Sequence, residues 1–167
     1  MKWGPVGASS CARFVVVKAP NAKGPLSWVT IRIGPPELRK AVEEAILRLP
    51  SDALRIPSLT AISLRESSEG GSLAGLTTWT TYERRILFGP LKGKDDVVVQ
   101  RIELYRDIID QLSERARVAV VAHELAHAWL NDNVAPEASK EREKASDELA
   151  RKWGFGRELD ALAEETY

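Results

Sequence analysis

The chain is poor in cysteine and carries no excess of charge of either sign. Its single cysteine, Cys11, excludes an intrachain disulfide and is typical of proteins from a reducing compartment. The 24 basic and 24 acidic residues give a formal net charge of zero. No basic cluster alternates with aromatic residues, so nothing indicates a nucleic-acid partner. No apolar run approaches the ~20 residues of a membrane-spanning helix, so we expect no membrane partner either.

The start of the sequence also lacks the apolar core of a secretory signal, since Met1–Pro5 contains a lysine, a glycine and a proline. Together with the lone cysteine, this predicts a cytoplasmic protein. The length of 167 residues, 44% of them hydrophobic, suits one domain with its own core. We expect a single domain over residues 1–167, in which residues 1–27 are either ordinary structure or an N-terminal regulatory extension.

The only two histidines of the chain lie within one H-E-x-x-H motif. His123 and His127 are about one helical turn apart, so both imidazoles project from the same face of a helix. Two neutral imidazoles at this spacing can bind one metal ion, most often zinc. Glu124 lies about 100° around the helix from His123. It suits a general base that takes a proton from water activated by the metal, and the motif therefore predicts a zinc hydrolase.

The residues around the motif are apolar on nearly every side, which predicts a helix buried in the domain. Val118–Ala122 precede the motif and Ala128–Leu130 follow it. Ser113 is a suitable N-cap and the polar run Asn131–Asn133 suits the end, so we expect a helix over residues 114–130. Buried His and Glu side chains need polar partners, and a metal ion supplies one.

A catalytic zinc site usually has a third protein ligand, which here must be Asp or Glu because no other histidine is left. Glu143 and Asp147 lie on one face of the next expected helix, where two like charges are mildly unfavourable. Their pairing is understandable if Glu143 binds a cation and Asp147 accepts a hydrogen bond from a ligand histidine. Glu141 is a rival ligand, and Asp147 is an alternative to Glu143. We favour Glu143, because it alone leaves an aspartate one turn later.

The motif H-E-x-x-H, followed by E-x-x-x-D on the next helix, resembles the gluzincins, the thermolysin-like zinc metallopeptidases. The resemblance covers about residues 96–155. The continuation Ser146–Ala150 is similar to the small intracellular, minigluzincin-like group, which includes minimal catalytic cores and repressor-cleaving peptidases. The resemblance implies Zn2+ as cofactor and a peptide or protein as substrate. The site residues that it implies are the metal ligands His123, His127 and Glu143, the general base Glu124, and Asp147 as support for a ligand histidine.

The order of the expected elements gives an α+β fold. A small mixed β-sheet with a backing helix precedes the H-E-x-x-H helix, the ligand helix and a short terminal helix. This order resembles the zincin plan, in which an edge strand holds an extended peptide by backbone hydrogen bonds. We expect residues 73–81 and 86–88 to form that edge. The strands are expected at residues 13–18, 28–33, 59–65, 73–81, 86–88 and 97–105, and the helices at 36–49, 114–130, 137–153 and 157–165.

The oxyanion formed during peptide hydrolysis needs a second electrophile beside the metal. Thermolysin-like enzymes often use an extra His or Tyr there, but this chain has no third histidine. The groups left are Tyr82, Tyr105, Tyr167 and the arginines. We favour Tyr105 as the catalytic partner of Glu124.

Two other functions are compatible with the same motif. A deformylase-like hydrolase takes its third ligand from a cysteine upstream of the helix, but Cys11 is far from His123 in sequence. A non-catalytic module would hold zinc in a structural or latent site, which Cys11 would cap in the latent form. We place the zinc-dependent endopeptidase first, because structural zinc sites use mainly cysteine-rich ligand sets.

Overall fold

The computed structural model describes residues 26–67, 74–86, 93–134 and 139–166. Cys11 and the strand expected at residues 13–18 lie outside these ranges. The described elements are β1 Thr30–Arg32, α1 Pro36–Arg48, β2 Leu59–Arg65, β3 Gly75–Ile86, β4 Gly93–Tyr105, α2 Arg106–Ile109, α3 Glu114–Asn133, α4 Ser139–Ala150, a π-helical turn Arg151–Phe155 and α5 Gly156–Thr166.

The four strands form one mixed sheet in the order β1-β2-β4-β3. β1, β2 and β4 run parallel, and β3 is antiparallel to β4. Among the described residues β3 pairs only with β4, so it lies at one edge of the sheet. The mixed α+β architecture with a small mixed sheet confirms the expected fold class at this level.

The two strands of the β3–β4 ladder are longer than the sequence indicates. Separate strands are expected at residues 73–81 and 86–88, whereas the chain forms the single strand Gly75–Ile86. β4 begins at Gly93 rather than at residue 97. Both differences have the same reason: the antiparallel backbone ladder continues beyond the apolar residues, and side-chain patterns do not record backbone hydrogen bonds.

Alternation along the strands gives the sheet one apolar face. Ile62, Ile102 and Leu104 are fully buried and join the same core as α3. Glu103, between two of them, is only half-buried and lies on the opposite face. Helix α1 packs against α3 and buries its apolar stripe in that core.

Helix α3 begins at the predicted position. The Ser113 hydroxyl accepts a hydrogen bond from the Ala116 N–H at 3.2 Å, which is the geometry of an N-cap. The helix continues to Asn133, beyond the predicted end at residue 130. The side chains of Asn131 and Asp132 bond to other elements rather than competing for their own backbone, so they do not end the helix.

Helices α4 and α5 meet at the turn Arg151–Phe155, where the chain kinks because Gly154 has a non-helical φ of 95°. The sequence predicts a helix end at this glycine, and a positive φ is the conformation that glycine adopts without strain. Arg48 of α1 fixes the turn, because its guanidinium donates to the Gly154 carbonyl at 3.1 Å and to Glu158 at 2.7 Å. The terminal helix α5 agrees with the helix expected at residues 157–165.

No helix in the described ranges is both long enough and apolar enough to cross a membrane.

Candidate metal centre

Helices α3 and α4 bring two histidines and one glutamate to a common point. The Nε2 atoms of His123 and His127 are 3.0 Å apart. Glu143 Oε2 lies 3.2 Å from His123 Nε2, and Glu143 Oε1 lies 3.3 Å from His127 Nε2. Because α3 presents the two rings one turn apart, a single carboxylate from α4 is enough to close a triangle of metal-binding atoms.

The spacing of these three groups fits a zinc ion. Zinc takes nitrogen and oxygen ligands at ~2.0–2.1 Å in a tetrahedron, which separates neighbouring ligand atoms by about 3.3 Å. The two imidazole nitrogens are 3.0 Å apart, and each has one oxygen of the Glu143 carboxylate at 3.2 or 3.3 Å, which is close to this edge length. Two histidines and a glutamate are also a donor set that catalytic zinc uses, with a fourth position left for water or substrate. These residues could therefore hold zinc.

Asp147 is hydrogen-bonded to the His123 ring. Its Oδ1 lies 2.8 Å from His123 Nδ1, one turn along α4 from Glu143. With Nδ1 donating to this carboxylate, Nε2 is the ring atom directed at Glu143 and His127. A carboxylate in this position fixes the tautomer of a metal-binding histidine and raises its basicity.

In the metal-free protein the two carboxylates of the cluster favour the protonated form of His123. Burial opposes the charge, but the hydrogen bonds to Asp147 and Glu143 raise the pKa of His123 to about 10. Burial, and then the charge of His123, lower the pKa of His127. The hydrogen bond from His123 lowers the pKa of Glu143 to about 2. Since a metal binds neutral imidazole, a metal ion must displace the proton of His123.

Glu124 is buried beside the cluster and is fixed from β3. The Thr77 hydroxyl lies 2.7 Å from Glu124 Oε2 and 3.0 Å from the Glu124 carbonyl oxygen, and it donates to them. Burial raises the pKa of Glu124, and the hydrogen bond from Thr77 opposes that shift. A raised pKa suits a carboxylate that accepts and returns a proton near neutral pH.

Gly75 leaves the space that the Glu124 side chain fills. A Cβ at position 75 would lie 2.9 Å from both Cγ and Oε1 of Glu124, which is closer than such atoms approach. Gly75 and Thr77 lie two residues apart on β3 and therefore share a face. The sequence-based prediction includes neither residue. A glycine at the start of a strand was the available signal, because it often marks a close approach.

The structure separates the two other candidates from the cluster. Glu141, the rival ligand, is exposed on α4 and is not part of the metal-binding group in the described chain. Tyr105 is paired with Arg65 of β2, and alternation places its side chain on the face opposite to that of the buried Leu104. That face points away from α3, so the position of Tyr105 does not support the expected catalytic role. The sequence places Tyr105 at the end of a strand but does not show which face of the sheet its side chain is on.

Residues 88–156 match the model of peptidase family M48, a family of zinc metallopeptidases. The match covers less than half of the chain and includes β4, α3, α4 and the whole histidine–glutamate cluster. It supports a metallopeptidase function. No curated protein and no solved structure matches this sequence.

Proposed function

We propose that the chain is a zinc-dependent endopeptidase of the gluzincin type. In this proposal His123, His127 and Glu143 hold the metal, Glu124 is the general base, and Asp147 orients His123. The observation that carries it is the convergence of two imidazoles and a carboxylate at 3.0–3.3 Å beside a buried second carboxylate. The match to peptidase family M48 supports the same class of reaction.

When bound, zinc supplies the Lewis acidity that polarises a peptide carbonyl and makes water nucleophilic near neutral pH. The chain's own residues manage the proton. Glu124 takes a proton from the attacking water and delivers it to the leaving amine. Its raised pKa supports this exchange, and the Thr77 hydroxyl holds Oε2 so that the carboxylate keeps one orientation.

The position of β3 supports a peptide as substrate. β3 lies at the described edge of the sheet and reaches Glu124 through Thr77. An extended peptide that paired with this edge would run past the general base, as in the zincin plan. The structure thus favours residues 75–86 as the substrate-binding strand of the proposed enzyme. The proposal places the enzyme in the cytoplasm, because a single cysteine is typical of proteins from a reducing compartment.

The deformylase-like alternative shares the H-E-x-x-H motif but takes its third ligand from an upstream cysteine. Here the carboxylate of Glu143 already lies within 3.3 Å of both histidines, which supports the gluzincin-type ligand set instead. A thiol from Cys11 is not required to complete the donor set.

The test is a comparison of the zinc-loaded protein with its Glu124→Gln variant on a complex peptide library read by mass spectrometry. We expect wild type to cleave internal peptide bonds and Glu124→Gln to lose at least ~10²-fold in turnover, because general acid–base catalysis contributes about that much. The variant should still bind about one zinc per chain, since Glu124 is not a ligand in this proposal.

Glu141→Gln is the matched control, because it makes the same chemical change at an exposed glutamate of α4. It should leave both zinc content and turnover unchanged. A zinc-loaded wild type that cleaves no peptide of the library, or a Glu124→Gln variant as fast as wild type, would contradict the proposal.

A further inference from the structure

A chain of polar side chains connects the sheet to helix α4 next to the metal-binding cluster. It begins at Gln100 in β4, passes through Asn131 in α3 and ends at Arg142 in α4. Arg142 directly precedes Glu143. None of the three residues belongs to the H-E-x-x-H or E-x-x-x-D pattern, so the motif does not account for them.

Gln100 fixes the sheet end of this chain. It is fully buried, and its side-chain nitrogen lies 2.5 Å from Ser58 Oγ and 3.0 Å from the Ala128 carbonyl oxygen and from Asp132 Oδ1, which share its two hydrogens. Since the carbonyl and the carboxylate can only accept, the nitrogen must face them and the amide oxygen must face the other way. That oxygen accepts a hydrogen bond from Asn131 Nδ2 at 2.7 Å.

The orientation of Gln100 in turn determines the orientation of Asn131. With its nitrogen directed at Gln100, the amide of Asn131 presents its oxygen to α4, where it accepts a hydrogen bond from the Arg142 guanidinium. Asn131 lies one turn beyond His127, and His123 lies one turn before it, so all three share a face of α3. The contacts from α3 to Arg142, Glu143 and Asp147 of α4 all come from this face.

Two contacts therefore bracket Glu143 on α4. Arg142 bonds to Asn131 on one side, and Asp147 bonds to His123 on the other. At its end α4 packs on the core through Ala150 and the partly buried Leu149, but Glu143 lies two turns earlier and its side chain is 66% exposed. The described contacts that hold this earlier part of α4 against α3 are polar, so they help to define whether Glu143 meets the histidines.

We propose that Arg142, held by Asn131 and Gln100, is a positioning residue that presents Glu143 to the metal. This inference rests on the proposed metal site and extends it to residues outside the ligand set. Its readout is metal affinity: without the contact, α4 loses one of the two polar anchors beside Glu143. Outer residues that orient a ligand typically change metal affinity by about 10–100-fold.

The experiment measures the zinc dissociation constant by competition with a chromophoric chelator, and the melting temperature of the metal-free protein, for wild type, Arg142→Ala, Arg142→Lys and Asn131→Ala. We expect both alanine variants to weaken zinc binding by about tenfold or more. Arg142→Lys should recover part of the affinity, because it keeps the charge and a donor. A variant that combines Arg142→Ala with Asn131→Ala should bind zinc no more weakly than Arg142→Ala alone, since the two residues act through one hydrogen-bonded chain.

Lys144→Ala is the matched control. Lys144 flanks Glu143 on its other side and is exposed, with Glu148 of the same helix as its ion-pair partner. Its removal should change zinc affinity by less than about twofold. A purely structural role for Arg142 would lower the melting temperature of the metal-free protein without changing zinc affinity. Unchanged affinity in Arg142→Ala would therefore overturn the inference, whatever its melting temperature.

A Glu143→Ala variant separates this inference from the proposed function. If Glu143→Ala loses zinc while Arg142→Ala binds it normally, the site is right and the positioning role is wrong. If Glu143→Ala keeps wild-type affinity, the ligand set itself is wrong, and the positioning role fails with it.

Discussion

At the scale of single residues, Glu124 is confined from two directions by one strand. Thr77 holds Oε2 by a hydrogen bond, and Gly75 gives the carboxylate the space it occupies. Both residues come from β3, whereas Glu124 comes from α3. The reach of the proposed general base toward the metal site therefore depends on the packing of a strand edge against the helix.

Replacing Gly75 with alanine should displace Glu124. The new Cβ would lie 2.9 Å from Cγ and Oε1 of Glu124, so the carboxylate must move. A displacement of this kind can cost about 10²-fold in turnover. We expect peptide hydrolysis by Gly75→Ala to fall by about that factor, with zinc affinity unchanged, as measured by initial rates and chelator competition.

Gly34→Ala is the control for that variant, since no atom lies within 4 Å of a Cβ at position 34. It should hydrolyse peptides at the wild-type rate. Wild-type turnover in Gly75→Ala would show that the position of Glu124 does not limit the reaction.

Zinc binding should be strongly dependent on pH. Burial lowers the pKa of His123 in the metal-free protein, but the hydrogen bonds to Asp147 and Glu143 outweigh it and raise that pKa to about 10. Below that pH zinc must displace a proton, so affinity should rise by about tenfold for each pH unit as pH increases from about 7 to about 9. His127 does not add a second proton in this range, because its pKa is lowered from 6.5.

The dependence can be measured as the slope of the logarithm of the zinc association constant against pH. Asp147→Asn removes the first hydrogen bond that raises the pKa of His123, and its slope should flatten at a lower pH than in wild type. A wild-type affinity independent of pH would mean that His123 is already neutral and that the charge arrangement described above is wrong.

At the scale of elements, α4 is a charged helix that packs on the core through Leu149 and Ala150 at its end and makes polar contacts around Glu143. Ser146 is fully buried on it, and its hydroxyl has no hydrogen-bond partner in the described structure. A buried hydroxyl without a partner is destabilising, and serine is also a poorer helix former than alanine. The unpaired Ser146 hydroxyl therefore lowers the stability of the helix that supplies Glu143 and Asp147.

Ser146→Ala should stabilise the protein. Removing the unpaired hydroxyl is expected to raise the free energy of unfolding by about 1 kcal/mol or more. Urea unfolding of the metal-free protein measures the change, and the exposed Ser51→Ala serves as control, with an expected effect within about 0.5 kcal/mol. Destabilisation by Ser146→Ala would show that the hydroxyl makes a bond that the fold needs.

The elements also show which features a sequence reveals. The limits of α1 and the start of α3 follow from Pro36, Pro50 and Ser113, because caps and prolines act locally. The length of the β3–β4 ladder does not, since it depends on backbone pairing between residues that are distant in sequence. Gly154 was predictable as a helix end, but the π-helical turn that continues the chain directly into α5 was not.

At the scale of the whole molecule, the candidate site lies where α4 crosses the core helix α3. The sheet, α1, α3 and the end of α4 share one apolar core. Nearer its start, α4 contacts α3 through the side chains of the cluster and through Arg142. A metal ion held by His123, His127 and Glu143 would therefore cross-link the core helix to its neighbour.

Zinc should accordingly stabilise the folded protein. At a free zinc concentration about 100 times the dissociation constant, binding contributes about 2.7 kcal/mol. For a domain of this size that corresponds to a rise in melting temperature of roughly 5–10 °C, which calorimetry can detect and a chelator should reverse. Glu143→Ala should show little of this rise. An equal rise in that variant would place the bound zinc elsewhere.

The residues of the candidate metal cluster could be picked out from the sequence because each of them lies on a helix with a fixed period. The four-residue spacings of His123 and His127, and of Glu143 and Asp147, give their faces without knowledge of the tertiary fold. The surroundings of Glu124 were not predictable, because Thr77 and Gly75 reach it across a helix–sheet contact. The same holds for Gln100, Asn131 and Arg142, whose connection exists only after the sheet and both helices have packed. For Tyr105 the residue type suits the chemistry and alternation places it on the face opposite to Leu104, so its catalytic role stays a prediction.

X-ray absorption at the zinc edge tests the central claim most directly. The purified protein should contain about one zinc per chain, with two imidazole nitrogens and a carboxylate oxygen at ~2.0–2.1 Å and one further light ligand. A shell of sulfur at about 2.3 Å, or a spectrum without imidazole scattering, would contradict the account.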